Sequence, residues 1–145
     1  FLFGSSERGS RLECRLDDAD WTPCSPPVLF SSLAEGSHVF EVRAIDAAGN
    51  VDPTPAAHAW TIDVTRPHTT ITDGPTGVVS AADATFTFES DEPGSTFECR
   101  LDLAAWSACT APVSFTGLAD GEPVFDVRAY DPAGNEEMPP ASQTS

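Results

Sequence analysis

The sequence predicts an all-β chain that writes one unit twice, and three observations carry this. Short stretches alternate apolar and polar residues with a period of two, as in ATFTFES at 84–90 and VFEVRAID at 39–46, the pattern of strands with one buried face. The 13 prolines and 10 glycines punctuate the chain with turns between short elements. Finally, the stretch Leu12 to Asn50, with ECRLDDADWTPC near its start and VFEVRAIDAAGN at its end, returns as Phe97 to Asn135. The offset is 85 residues throughout, from Cys14 to Cys99, Cys24 to Cys109 and Asn50 to Asn135, without insertion or deletion. More than half of the aligned positions are identical. A period this long suits a small domain rather than one turn of a solenoid.

Composition narrows the function classes. With 40% hydrophobic and 21% charged residues the chain is globular rather than disordered. Its 23 acidic residues against 7 basic ones give a net charge of −16, which repels phosphate backbones and anionic lipid heads and excludes nucleic acid and bare membrane as partners. Every basic residue is arginine, so Schiff-base chemistry and Lys–Asn isopeptide crosslinking are excluded too. Four cysteines fall in two identical Cys-x9-Cys pairs, a disulfide framework that predicts an oxidising, extracellular or cell-surface location. No apolar run approaches the length of a membrane span. The chain opens on Phe1 rather than on a signal peptide, and is expected to be a segment of something longer.

Taken in order, Phe1 to Phe3 aligns with Phe86 to Phe88 and predicts an opening strand. After the turn SSERGS, Leu12, Cys14 and Leu16 face inward while Glu13, Arg15 and Asp17 face outward. A three-residue loop at Asp18–Asp20 would set Leu16 opposite Thr22 and Cys14 opposite Cys24, within reach of a disulfide. A metal reading of the same cysteines lacks a neighbouring histidine or second pair to complete a tetrahedral site. PPVLF at 26–30 predicts a short strand, and in VFEVRAID Phe40, Val42 and Ala44 form a core face against Glu41 and Arg43. DAAGN at 46–50 predicts a turn, with Gly49 and Asn50 tolerating positive φ. AWTIDV at 59–64 predicts the closing strand of the first copy, and HTTIT at 68–72 the opening strand of the second.

The run LAEGSHVFEVRAIDAAGN and its second version LADGEPVFDVRAYDPAGN resemble fibronectin type III domains. Together with Phe-Glu-Cys-x-Leu-Asp, Trp-x-x-Cys and Asp-x-Ala-Gly-Asn they resemble tandem bacterial Ig-like repeats of secreted and surface proteins. The resemblance implies two tandem Ig-like, fibronectin III-like β-sandwich domains, each full repeat seven-stranded with Greek-key connections. It implies no catalytic activity and no particular ligand.

Repeat 1 is then assigned to residues 1–65, lacking its first strand, and repeat 2 to 66–145, lacking most of its last. Such repeats leave an open edge. Either the polypeptide continues at both ends, or neighbouring chains supply the absent strands.

Several residues are candidates for a site. Asp46, Asn50 and Asp52, with Asp131, Asn135 and Glu136 and the adjoining Glu137, group oxygen ligands of the kind calcium takes; the same aspartates also serve as Asx caps of the turn, which accounts for them without an ion. Asp17, Asp18 and Asp20 look like a cation loop, but the second copy keeps only Asp102, which favours a solvated hairpin tip. Trp21 and Trp106 share a face with Arg15 and Arg100, where guanidinium can stack on indole or the indole can grip a sugar ring. His38, His58 and His68 do not recur at the repeat offset, and no nucleophile, base and acid stand at a recognisable spacing. The function expected is a non-enzymatic extracellular stalk, fibre or spacer needing no cofactor, with further repeats or neighbouring copies as partners. Two alternatives stand beside it: a carbohydrate- or protein-binding adhesin or accessory module of a secreted enzyme, and a virion or appendage surface protein.

Overall fold

The structure, a computed structural model, describes residues 1–77 and 82–144; Ser145, the last residue assigned to repeat 2, lies outside them. Among the described residues every regular element is a β-strand. The chain divides into two compact units, Phe1–Asp63 and Val64–Ser145. Unit 1 holds β1 (Arg11–Leu16), β2 (Thr22–Cys24), β3 (Gly36–Ile45) and β4 (Ala56–Ile62). Unit 2 holds β5 (Thr69–Asp73), β6 (Ala84–Ser90), β7 (Thr96–Leu101), β8 (Ser107–Cys109), β9 (Val113–Phe115), β10 (Val124–Tyr130) and β11 (Ala141–Thr144).

Unit 2 is a two-layer sandwich. One sheet runs β11-β10-β7-β8 and the other β5-β6-β9, with antiparallel neighbours. Alternate residues of β6 (Ala84, Phe86, Phe88) meet Cys99 of β7 and Phe125 and Val127 of β10 in one core. Phe86 stacks on Phe125 with ring centroids 4.2 Å apart. Burying two such rings removes several hundred Å² of apolar surface from water, about 2–3 kcal/mol for each.

Unit 1 repeats the four-stranded sheet in the order β2-β1-β3-β4. Its core joins Cys14, Phe40 and Val42 to Phe3, Leu12, Val28, Phe30 and Trp60. Phe1 stacks on Phe40 at 4.6 Å, as Phe86 does on Phe125. The second layer is reduced. Phe1 N donates to Val28 O at 2.7 Å and Val28 N to Phe1 O at 3.1 Å, the counterpart of the Phe86–Val113 pair joining β6 to β9. The opening strand expected at Phe1–Phe3 and the short strand expected at 26–30 shrink to this single bridge. In unit 2 the equivalent residues are regular because β6 has a partner on each side, β5 and β9.

Two strand expectations are corrected. The closing strand spans Ala56–Ile62, not Ala59–Val64: β3 is ten residues long, and its pairing runs from Gly36↔Ile62 to Val42↔Ala56. Residues 56–59 are all exposed, so they carried no apolar alternation to read. The earlier start also means that repeat 2 contains four residues of this strand, β11, paired from Val127↔Ala141 to Val124↔Thr144, rather than lacking most of it. The hairpin register is corrected as well. Cys14 lies opposite Thr22, and Cys24 opposite Leu12. Asp17 and Asp18 both take left-handed φ (50° and 59°), with Ala19 N bonded to Leu16 O at 3.0 Å. The chain therefore reverses one residue earlier than the expected loop, which moves every partner by two.

Candidate functional site

The cysteines join as expected from sequence, Cys14 to Cys24 and Cys99 to Cys109, each with 5.8 Å between Cα atoms. They are diagonal rather than opposed neighbours, brought together by the right-handed twist of the hairpin. Each bridge ties the short edge strand β2 or β8 to the centre of its sheet.

On the outer face of that sheet, period-two alternation aligns charges across strands. Glu13 lies opposite Arg43 and Arg15 opposite Glu41, with the same order in Glu98–Arg128 and Arg100–Asp126. The ion pairs form: Arg43 Nη2 to Glu13 at 2.7 Å, Arg15 Nε to Glu41, Arg128 Nη2 to Glu98 at 2.6 Å and Arg100 Nε to Asp126 at 2.8 Å. Each tryptophan then meets two guanidinium groups. Trp21 has Arg15 at 4.7 Å and Arg43 at 4.3 Å from its ring centroid, and Trp106 has Arg100 at 4.4 Å and Arg128 at 4.3 Å. Sequence reasoning found the first arginine of each set and missed the second, although Arg43 and Arg128 lie on the wet face of the strand it read most clearly. Each such contact contributes about 0.5–1 kcal/mol at a half-exposed site.

Six of the calcium candidates are held in bonds to neighbouring protein groups, and Glu137 is described below. Asp46 Oδ1 accepts the Asn50 backbone N–H at 2.8 Å and Oδ2 accepts the Asn50 side-chain amide at 2.8 Å. Asp131 binds Asn135 in the same way, at 2.8 and 2.7 Å. The Asn50 amide donors hold the Asp46 carboxyl below the usual carboxylate range. For Asp131, burial pushes upward, but the Asn135 donors outweigh it and the net direction is also down. Asp52 Oδ1 caps Thr54 at 2.9 Å, and Glu136 pairs with Arg128 at 2.6 Å. These carboxylates do what Asx turns and surface pairs require.

Two carboxylates have partners that the sequence did not reveal. Asp17, expected at a solvated tip, accepts the Val39 N–H at 2.8 Å and the His38 Nδ1 at 2.6 Å, while His38 Nε2 donates to Ala34 O at 2.7 Å. With acceptors on both ring nitrogens the imidazolium is favoured: the Ala34 carbonyl, then Asp17, raise the His38 pKa, and His38 lowers that of Asp17. In unit 2 only the backbone half recurs, Val124 N to Asp102 at 2.8 Å, because Pro123 replaces the histidine. The second carboxylate is Glu137, which is 2% exposed. It accepts Thr69 N at 2.7 Å, Thr69 Oγ1, and Ala129 N at 3.0 Å, clamping β5 of one sheet to β10 of the other.

Neither a protein-family model nor a curated protein sequence matches the chain. Among solved structures it is similar to the fibronectin(III)-like modules of Clostridium thermocellum CbhA, with 17% identity over 99% of this chain and 80% of that chain, and a TM-score of 0.49. Independently of that likeness, the three-plus-four antiparallel layers of unit 2, with connections that pass between sheets, define a fibronectin III-like sandwich.

Proposed function

We propose that the chain is a non-enzymatic structural module, a spacer or stalk segment of two tandem β-sandwich repeats in a secreted or surface-displayed polypeptide. One observation supports it most: the aspartates, arginines and tryptophans that recur at matching places in the two copies make their contacts within their own copy. Asp17 and Asp102 anchor the start of the long strand, Asp46 and Asp131 close the Asp-x-Ala-Gly-Asn turn, and the Arg–Glu ladder surrounds Trp21 and Trp106. What the repeat preserves is therefore the sandwich itself. The two disulfides fit an oxidising compartment, and the acidic surface keeps neighbouring modules apart and soluble. Further repeats or neighbouring copies are the partners on this reading.

The reading is tested against the carbohydrate-binding alternative by affinity electrophoresis through gels containing soluble polysaccharides. Unretarded migration is expected with every polysaccharide. Retardation that disappears in Trp21→Ala or Trp106→Ala would replace the spacer with a sugar-binding module.

A further inference from the structure

Two residues that differ between the copies act on one loop of unit 1. The loop, residues 31–35, leads into β3, and Ser32 within it has a φ of 57°. A Cβ makes that left-handed conformation costly. The second copy places Gly117 at this position, with a φ of 67°, and glycine adopts it without the clash. The other difference is His38, which the second copy replaces by Pro123.

The His38 ring, in a residue only 7% exposed, is bonded through both nitrogens. Nδ1 lies 2.6 Å from Asp17 Oδ2, and Nε2 lies 2.7 Å from Ala34 O. Carboxylate and carbonyl are acceptors only, so both bonds exist together only in the imidazolium. A neutral ring keeps one N–H. Asp17, ionised and fixed by the Val39 N–H at 2.8 Å, is the stronger acceptor and retains it. The lone pair of Nε2 then faces those of the Ala34 carbonyl, and the contact becomes repulsive. Ala34 is exposed, so water replaces the lost bond once the carbonyl turns away, and Ser32 can leave its left-handed conformation. Of the other elements at the ring, β4 contributes the uncharged Trp60 at 5.7 Å, on which His58 stacks at 6.0 Å. In the turn of Asp17, Asp18 pairs with Arg15 at 3.6 Å. Asp20 of that turn and Glu35 of the loop are both acidic and act in the same direction as Asp17, toward the imidazolium.

We propose that His38 is a proton-controlled latch on residues 31–35: protonated, it docks the loop onto β3, and neutral, it releases the loop while the sandwich stays folded. Ala34 and then Asp17 raise the His38 pKa, so the loop is docked below the ordinary histidine value and released as pH rises through the raised one. Unit 2 has neither the strained residue nor the titrating one, and its matching loop is expected to ignore pH. The latch does not depend on the spacer role, since a sugar-binding chain would keep it.

The test is a carbon-detected NMR titration of the full chain from about pH 5 to about pH 9, a range that brackets histidine ionisation. It follows the His38 ring, the Ala34 carbonyl and the Cα and Cβ of Ser32, with Ala119 and Gly117 as the matching atoms of unit 2. Expected is one midpoint shared by the three sites of unit 1, and no change at Ala119 or Gly117. Asp17→Asn, which keeps an acceptor for Val39 but removes the charge, should lower that midpoint by about one pH unit or more, a tenfold loss of proton affinity. Ser32→Gly should keep the loop docked to higher pH. An Ala34 carbonyl that stays unchanged while His38 titrates overturns the proposal. So does an Ala34 transition that persists at the same midpoint in His38→Gln, or one that occurs only together with unfolding of the unit reported by Phe40 and Val42.

Discussion

Phe1 and Phe86 stand at the same place in two copies of one sequence, and one strand separates their fates. Both rings stack on the phenylalanine of the long central strand, Phe40 or Phe125. Phe86 is then sealed by β5 and the Gly74 backbone, whereas Phe1 is left open to solvent. The same contrast runs along the long strands, from Val127 and Ala129 of β10, both 0% exposed, to Val42 at 9% and the half-buried Ala44 of β3. The four-stranded sheet with its disulfide, Asx turn and arginine ladder forms alike in both units. It is thus the half of the repeat that folds in the same way in both units, and the layer facing it is where the two units differ.

The sharpest way to break this comparison is at the two rings. Phe86→Ala should destabilise unit 2 by about 3–5 kcal/mol, the cost of a cavity in a closed core, while Phe1→Ala should cost unit 1 less than about half of that. Hydrogen exchange of each unit's amides across a denaturant series reads the two separately. Equal losses would mean that Phe1 is as well covered as Phe86.

Next comes the clamp. Glu137→Ala strands the Thr69 and Ala129 donors in the core of unit 2 and should cost about 3 kcal/mol, releasing β5 first. Asp52→Ala, at the matching place in unit 1, touches only the exposed Thr54 cap and should stay within about 1 kcal/mol. A large Asp52 effect would show that unit 1 uses this acid as unit 2 does.

A smaller contrast is pH. His38 has its pKa raised in the folded state, so its contribution is complete below its ordinary value of about 6.5 and is lost as pH rises through the raised folded value. Asp17 is shifted the other way: its contribution is present above its ordinary value of about 3.9 and is lost as pH falls through the lowered one. Between mildly acid and mildly alkaline pH, unit 1 should therefore lose stability while unit 2, with Pro123 in place of the histidine, stays level. His38→Pro should abolish the difference, and a pH slope that survives this substitution would place its origin elsewhere.

The smallest expected effect concerns calcium. With both oxygens of Asp46 and Asp131 bonded to Asn50 and Asn135, millimolar calcium should move the unfolding temperature of either unit by less than about 2 °C relative to chelator. A shift of many degrees, lost in Asp46→Ala or Asp131→Ala, would assign these turns to an ion.

Most of the strands were legible because their faces differ: Phe40 and Val42 against Glu41 and Arg43 admit one orientation only. The disulfides were legible from two equal spacings. The hairpin register was not, since it depends on two consecutive left-handed residues at Asp17–Asp18, and in the second copy at Asp102–Leu103, where no glycine announces them. The start of β4 was hidden by the run AAHA, which has no buried face to betray it. For the candidate site, alternation alone could place Arg15 beside Trp21 within one hairpin. Arg43 reaches the same indole from a strand about twenty residues further on, a contact fixed only once β1 and β3 pair. Glu137 was legible only as an oxygen ligand beside Glu136, and its role as a clamp was not, because its partner Thr69 lies far away in sequence.

The position of the cross-links matters if the chain is ever pulled from its two ends. Each bridge spans ten positions, so tension passes through sulfur and bypasses the residues from Arg15 to Pro23 and from Arg100 to Ala108. Unravelling either unit would then release about 30 Å less length than its residue count allows, since the bridge itself spans 5.8 Å. The covalent ring left behind keeps the ends of the tight hairpin together, an already closed loop from which the slackened chain can refold. Reduction would return that hidden length, making extensibility under load a property of the redox state of the surroundings.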